Sequence, residues 1–542
     1  MSPLTKVLLL AVDAGDKFLI KSWAADGTLP TFRSLLDSGM VGDTMSLEGF
    51  YEGSTWPSFY TGVTPAHHGF HSLIQLNPGS YEFDHIRPGD FIKREPFWNY
   101  LSRAGRRVAI LDIPLSGISK ELNGIQMVEW GSHDGIYGFH TWPSQLQQEV
   151  LARFGSHPLT RSCDSFGWSQ QEFHTFRDLL VQGAQKKAEL TNYYLNQGGW
   201  DFFTQVFTEG HCIGHQCWHL HDSSHPDYNP EMVSMMGDPI RDVYVAIDTA
   251  IGEILGQVDN ETVILILVGH RMSHYFGMQF LLPEILCRLE VAKPPSEEIS
   301  ADKSLDMFNK LEAVLTWGWQ HTPKKIKEQV RGLRNYFRSW IDRRQGQPYS
   351  MSFGIDPRKS KCFLLHNGAS VCGLRVNLAG REPEGLVQAG AEMDALCDQL
   401  AQDFLQIVNL DTGKPVVKSI KRTAQLYEGE FLDYLPDLLV EWRDDIPLGN
   451  TITRNLDGGR VRLASDKIGV VEGVNSYCRT GDHRPEGIFI ALGPGIKPER
   501  LEKTVSIMDF APTFTELFDV KLPDADGKPI EEILEARLRL KP

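Results

Sequence analysis

Six short apolar runs, at residues 7–12, 108–112, 202–207, 263–268, 438–441 and 487–491, constrain this chain more than any other feature. Their length suits strands better than helices, and their near-uniform apolarity suits strands buried on both faces. Helical patterns lie between them. Residues 242–256 carry Val243, Ile247, Ile251 and Ile254 at helical spacing. Strands of this kind alternating with helices predict an α/β fold with a doubly wound, mostly parallel central sheet and helices on both faces. All six runs read as central strands.

In such sheets ligands bind beyond the carboxyl ends of the strands. The polar residues at those ends are therefore the candidates. Asp13 closes the first run within Ala11-Val12-Asp13-Ala14-Gly15. It is placed either to bind a cation or to cap a turn. Glu209 and His211 follow the third run, and His215 lies four residues further on. The i, i+4 spacing puts both imidazoles on one face of a helical turn, where they can share one metal ion. His219 and His221 come next. His270 follows the fourth run and His483 precedes the last. Each taken alone fits a hydrogen-bonded structural histidine as well as a ligand. Thr55 precedes Trp56-Pro57. Pro57 suits the first turn of a helix, which places Thr55 near a helix N-terminus as a nucleophile or as a plain cap. A threonine hydroxyl becomes a useful nucleophile when a base or a metal lowers its pKa.

Composition excludes some functions. The formal net charge of −16, with no basic run to offset it, argues against a partner that is a nucleic-acid polymer. An anionic small molecule remains compatible, because a bound metal can invert the local field. No apolar run approaches the roughly 20 residues that span a bilayer, so no membrane partner is expected. The eight cysteines are scattered without a CxxC pair, which suits a reducing cytoplasm. Residues 277–348 differ in texture, with a charged helical stretch around Lys324-Lys325 and aromatics at Trp317-Gly318-Trp319. The expected organisation is a core α/β part at 1–276, an inserted helical cap at 277–348, and a second core part at 349–542. Monomer and homo-oligomer are both compatible with the chain.

The motifs together resemble the alkaline phosphatase superfamily, specifically its type I phosphodiesterase and nucleotide pyrophosphatase branch. The resemblance runs in order through nearly the whole chain. It takes in the Asp13 strand, Leu29-Pro30-Thr31-Phe32, the Thr55 loop with Thr61-Gly62-Val63-Thr64-Pro65, and Phe97-Trp98-Asn99-Tyr100-Leu101. It continues through the His211 segment, Tyr434-Leu435-Pro436-Asp437, the His483 motif, Gly493-Pro494-Gly495 and Ile507-Met508-Asp509-Phe510.

The resemblance implies an alkaline phosphatase-like sheet, a Thr55 nucleophile and two metal ions, usually zinc, with manganese or iron as alternatives. One ion would take His211, His215 and His483. The other would take Asp13, Thr55 and His270. Glu209, His219, His221 and Asp222 match neighbours of the ligands. Two departures stand out: His211 and Gly269 each occupy a position where the family has aspartate. The second leaves that metal site short of a ligand, with His274, Asp482, His133 and Asp134 as candidates to complete it. The implied activity is cleavage of a phosphodiester, pyrophosphate or related phosphoryl or sulfuryl ester of a small anionic substrate by double displacement. A diverged single-metal transferase or lyase is the alternative, followed by a non-catalytic binding protein.

Overall fold

A computed structural model describes residues 6–131, 135–160, 162–165, 169–295, 353–450, 459–475, 477 and 479–538. Its centre is a ten-stranded sheet. In spatial order the strands are Glu499–Arg500, Met40–Met45, Glu486–Leu492, Thr262–Gly269, Lys6–Asp13, Phe202–Phe207, Val108–Leu111, Gly124–Val128 and His140–Trp142, with Val505–Ser506 also pairing Met40–Met45. Lys6–Asp13 is flanked on both sides by parallel partners. Glu486–Leu492 and His140–Trp142 run antiparallel to their neighbours. The mostly parallel, doubly wound sheet expected from the apolar runs is therefore present.

Strand pleating explains why these runs are apolar throughout. Leu8, Leu10 and Val12 point into one core, with Phe176, Leu180, Ile213, Ile247 and Ile251 from the covering helices. Val7, Leu9 and Ala11 point into the other, with Phe59, Phe97, Trp98, Phe510 and Phe514. Alternate residues of one strand thus fill opposite cores. The helix Pro239–Leu255 turns Val243, Ile247, Ile251 and Ile254 inward, as their spacing predicts. Each such side chain contributes about 1.5–3 kcal/mol by leaving water.

The run at 438–441 departs from expectation. Leu438–Trp442 is not part of the central sheet. It lies in a separate antiparallel sheet between Val371–Val376 and Val417–Arg422, with Cys362–Leu365 beyond. Its apolarity has the same cause, since Leu438, Val440 and Trp442 fill a third core. Burial on both faces makes a strand apolar without specifying its partners.

Of the segment 277–348, residues 296–348 lie outside the described residues. The described part includes Leu282–Arg288, which buries Leu282, Ile285 and Leu286 in that third core. Among the described residues no cysteine pair forms a disulfide. Among them, too, no helix is long and apolar enough to cross a membrane.

Candidate metal centre

The carboxyl ends of three adjacent strands, Thr262–Gly269, Lys6–Asp13 and Phe202–Phe207, meet at one buried point. Asp13 ends the middle strand, and Gly269 is its partner in the parallel register. Next to these ends the backbone turns through the left-handed region, with φ 50° at Ala14 and 25° at His270. Such non-glycine geometry costs on the order of 1–3 kcal/mol per residue and persists where the surroundings enforce it.

The helix Glu209–His221 starts directly beyond Phe202–Phe207 and carries His211 and His215 on one face. Thr480 N donates to the His215 carbonyl at 2.8 Å, and His215 Nδ1 donates to the Gly481 carbonyl at 2.8 Å. These contacts dock the short strand Gly481–His483 against the helix and bring in His483. Ring nitrogens of His211, His215 and His483 all lie within 4.8 Å of one another. This is the one group of three or more His, Cys, Asp or Glu ligand atoms so placed among the described residues. The His270 ring stands 4.6 Å from that of His483. All six candidate residues are buried, and His211 is the most exposed at 8%.

The donor chemistry fits a cation. His215 carries its proton on Nδ1, toward Gly481, so its Nε2 is a lone pair. His211 Nδ1 faces Asp13 Oδ2 at 2.6 Å, and its Nε2 lies 2.8 Å from His215 Nε2. Two imidazole nitrogens come this close by sharing either a proton or a cation. A carboxylate behind a ligating imidazole is the usual outer support of a histidine metal ligand. The buried His270 Nδ1 has no hydrogen-bond partner among the described residues, which also suits a ligand.

Asp13 holds the assembly together. Its Oδ1 accepts from Trp56 Nε1 at 2.8 Å and its Oδ2 meets His211. Burial pushes its carboxyl up, but the charge and hydrogen bond of His211, with His270 and Trp56, more than offset this and hold it below the usual carboxylate range. Burial holds His270 down at about 4, so its ring is neutral at pH 7. Thr55 opens the helix Thr55–Thr61. Its Oγ1 donates to the Tyr51 carbonyl at 2.7 Å and also meets Ser46 Oγ. Neither partner is a strong base, so a cation is the natural means of activating this hydroxyl.

The other candidates face elsewhere. His274 Nε2 donates to the Asp444 carbonyl at 2.9 Å. Asp482 accepts from Ser370 Oγ and from the His483 backbone N–H, both at 2.8 Å. Glu209 meets His157 Nε2 at 3.0 Å and Lys187 Nζ at 3.2 Å. His219 bonds Thr480 Oγ1, His221 bonds Asp238, and Asp222 caps Ser224. His133 and Asp134 lie outside the described residues. Sequence reasoning missed Trp56 as the partner of Asp13, and missed Arg479 and Asp164 altogether. Arg479 Nη1 lies 3.0 Å from His215 Nε2. Its place four residues before His483 was the available signal.

The model of the family "Type I phosphodiesterase / nucleotide pyrophosphatase" matches residues 7–281, half of the 542-residue chain. Three solved structures align along almost the entire chain. The alkaline phosphatase PafA has 13% identity and a TM-score of 0.50, covering 98% of this chain and 99% of that one. Phosphonoacetate hydrolase from Sinorhizobium meliloti 1021, in complex with phosphonoformate, has 12% identity and a TM-score of 0.47, covering 99% and 96%. Murine ectonucleotide pyrophosphatase/phosphodiesterase 5 has 11% identity and a TM-score of 0.44, covering 97% and 98%. No curated protein matches. At such identities the likeness to PafA speaks for the fold alone, an α/β alkaline phosphatase fold. The matched segment includes Asp13, Thr55, His211, His215 and His270. The chain belongs to the type I phosphodiesterase/nucleotide pyrophosphatase family.

Proposed function

We propose that the protein is a metal-dependent hydrolase of a small anionic phospho- or sulfo-ester, with Thr55 as nucleophile. The observation that carries this reading is the convergence of His211, His215 and His483 on one buried point, with Asp13 behind His211. Zinc, or manganese or iron in its place, would be held by these three histidines and would supply Lewis-acid charge stabilisation. Asp13 fixes the His211 ring and Trp56 fixes Asp13. Tyr51 and Ser46 fix the Thr55 hydroxyl. The hydroxyl attacks the ester's phosphorus or sulfur, the alcohol leaves, and water later cleaves the threonine ester.

Hydrolysis of p-nitrophenyl phosphate and bis-p-nitrophenyl phosphate tests the reading. With added Zn²⁺ or Mn²⁺ the wild type should turn over at least one of them, and Thr55→Ala should lose about a hundredfold to a thousandfold in kcat. No turnover by the metal-loaded wild type over a broad ester panel counts against it.

A second reading is favoured by Gly269. Among the described residues, neither Asp13 nor His270 belongs to a group of three ligand atoms that all lie within 4.8 Å of one another. A single-cation enzyme with transferase or lyase chemistry would follow, and two tightly bound metal equivalents per chain would sink it. The scattered cysteines support a reducing compartment, the cytoplasm, as the place of action.

A further inference from the structure

We propose that Arg479 recognises the anionic group at the three-histidine centre, and that Asp164 positions it for that task. The proposal rests on reading the centre as a cation site for an anionic ester. Arg479 is clamped in a fork. Its Nε donates to Asp164 Oδ1 at 3.0 Å and its Nη2 donates to Asp164 Oδ2 at 2.8 Å. Two-point pairing of this kind fixes the plane of a guanidinium as well as its position. Asp164 also accepts from Gln216 Nε2 at 2.8 Å. Gln216 is the residue after His215, so the fork is tied to the helix that carries the histidines.

The third nitrogen of the guanidinium is aimed at the centre. Nη1 donates to His215 Nε2 at 3.0 Å. His215 Nδ1 already donates to the Gly481 carbonyl, so Nε2 is the one lone pair of that ring. A lone pair serves a hydrogen bond or a cation, not both. Once His215 holds a cation, Nη1–H keeps its position through Asp164 but has lost its acceptor. An oxygen of a bound oxyanion is the group that can take that place. The guanidinium suits it, because its charge is permanent and its donors match the oxygens of a phosphoryl group.

The remaining charges support this division of labour. Asp164 offsets the repulsion between Arg479 and a cation. The side chain of Arg479 keeps 17% of its surface exposed, so a ligand entering from solvent can meet it. Arg484, the other arginine of the segment, is committed elsewhere. Its Nη1 donates to the His483 carbonyl at 3.0 Å, its Nη2 to the His274 carbonyl at 3.1 Å, and its guanidinium stacks 3.7 Å from the Phe276 ring. The ligand class is thus a phosphoryl group with an ionised oxygen free to accept from Nη1.

Calorimetric titration of the zinc-loaded full chain with orthophosphate tests the assignment, with bound zinc and thermal midpoint recorded for every variant. Arg479→Ala should bind orthophosphate at least tenfold more weakly than wild type, with unchanged zinc content. Arg479→Lys should fall between the two. Asp164→Asn should weaken binding severalfold, and Asp164→Glu should recover part of it. Should Arg479→Ala fail to fold, Arg479→Lys and the Asp164 pair decide the matter. Phosphate affinity equal to wild type in the arginine variants, at equal zinc content, overturns the assignment and leaves the hydrolase reading intact. Loss of zinc in Arg479→Ala also overturns it, because the arginine would then serve metal retention. A zinc-loaded wild type that binds no orthophosphate overturns both readings.

Discussion

Asp13 Oδ2 lies 2.6 Å from His211 Nδ1 and joins the carboxyl end of the central strand to the helix that carries two of the three converging histidines. The same carboxylate accepts from Trp56, the residue after Thr55. One side chain therefore sets the His211 ring and anchors the segment that presents the hydroxyl. Asp13→Asn should weaken Zn²⁺ binding about 10- to 100-fold, the usual cost of losing an outer support of a histidine ligand. Competition with a chromophoric chelator measures this. Because the folded-state pKa of Asp13 is depressed, its stabilising contribution is present above the unfolded value of about 3.9 and is lost as pH falls through the folded one. The acid limb of a stability–pH curve should therefore flatten in Asp13→Asn.

Gly269 stands beside Asp13 in the parallel register. A Cβ placed there would meet nothing nearer than Ile507 Cδ1 and Leu267 Cγ, both at 3.9 Å. Space for a Cβ exists, so crowding at that atom does not explain the missing carboxylate. Gly269→Asp should raise the number of tightly bound Zn²⁺ ions per chain by one, read by elemental analysis after dialysis. An unchanged count in a folded variant would contradict this.

Glu209 and Lys187 form a fully buried ion pair at 3.2 Å. Lys187 Nζ also donates to the carbonyls of Gly131 and Val206, at 3.0 and 3.1 Å, and to Thr208 Oγ1 at 3.1 Å. The pair fastens the start of the histidine helix to the end of its strand. Removing one partner strands a buried charge, at a cost of about 3–5 kcal/mol. Lys187→Ala should lower stability by that amount in urea unfolding, while any protein that remains folded keeps its metal.

Burial holds five further histidines far below their usual range: His68, His71 and His219 at about 3, and His225 and His274 at about 4. Below about pH 6.5 the unfolded chain takes up protons that the folded chain refuses. Stability contributed by these neutral rings is full above pH 6.5 and declines as pH falls toward 3–4. The thermal midpoint should drop steeply between pH 6.5 and 4.5. His219→Gln, which keeps a polar group facing Thr480, should soften that drop.

Much of the fold could be read locally. The first strand is apolar on alternate residues because each face meets its own core, and the helix over residues 239–255 shows its buried stripe in its spacing. The pairing of His211 with His215 follows from the helical period, and Asp13 from its place at a strand end. Other relationships have no local trace. Leu438–Trp442 is as apolar as a central strand and lies in another sheet, because burial leaves partner choice open. Gly481 accepts from His215 across 266 positions, and Asp164 clamps Arg479 across 315. Periodicity and strand-end chemistry act over a few residues, so the chain alone specifies which side chains can bind a cation. Long-range packing decides which of them meet, and it brings Trp56, Arg479 and Asp164 to the centre.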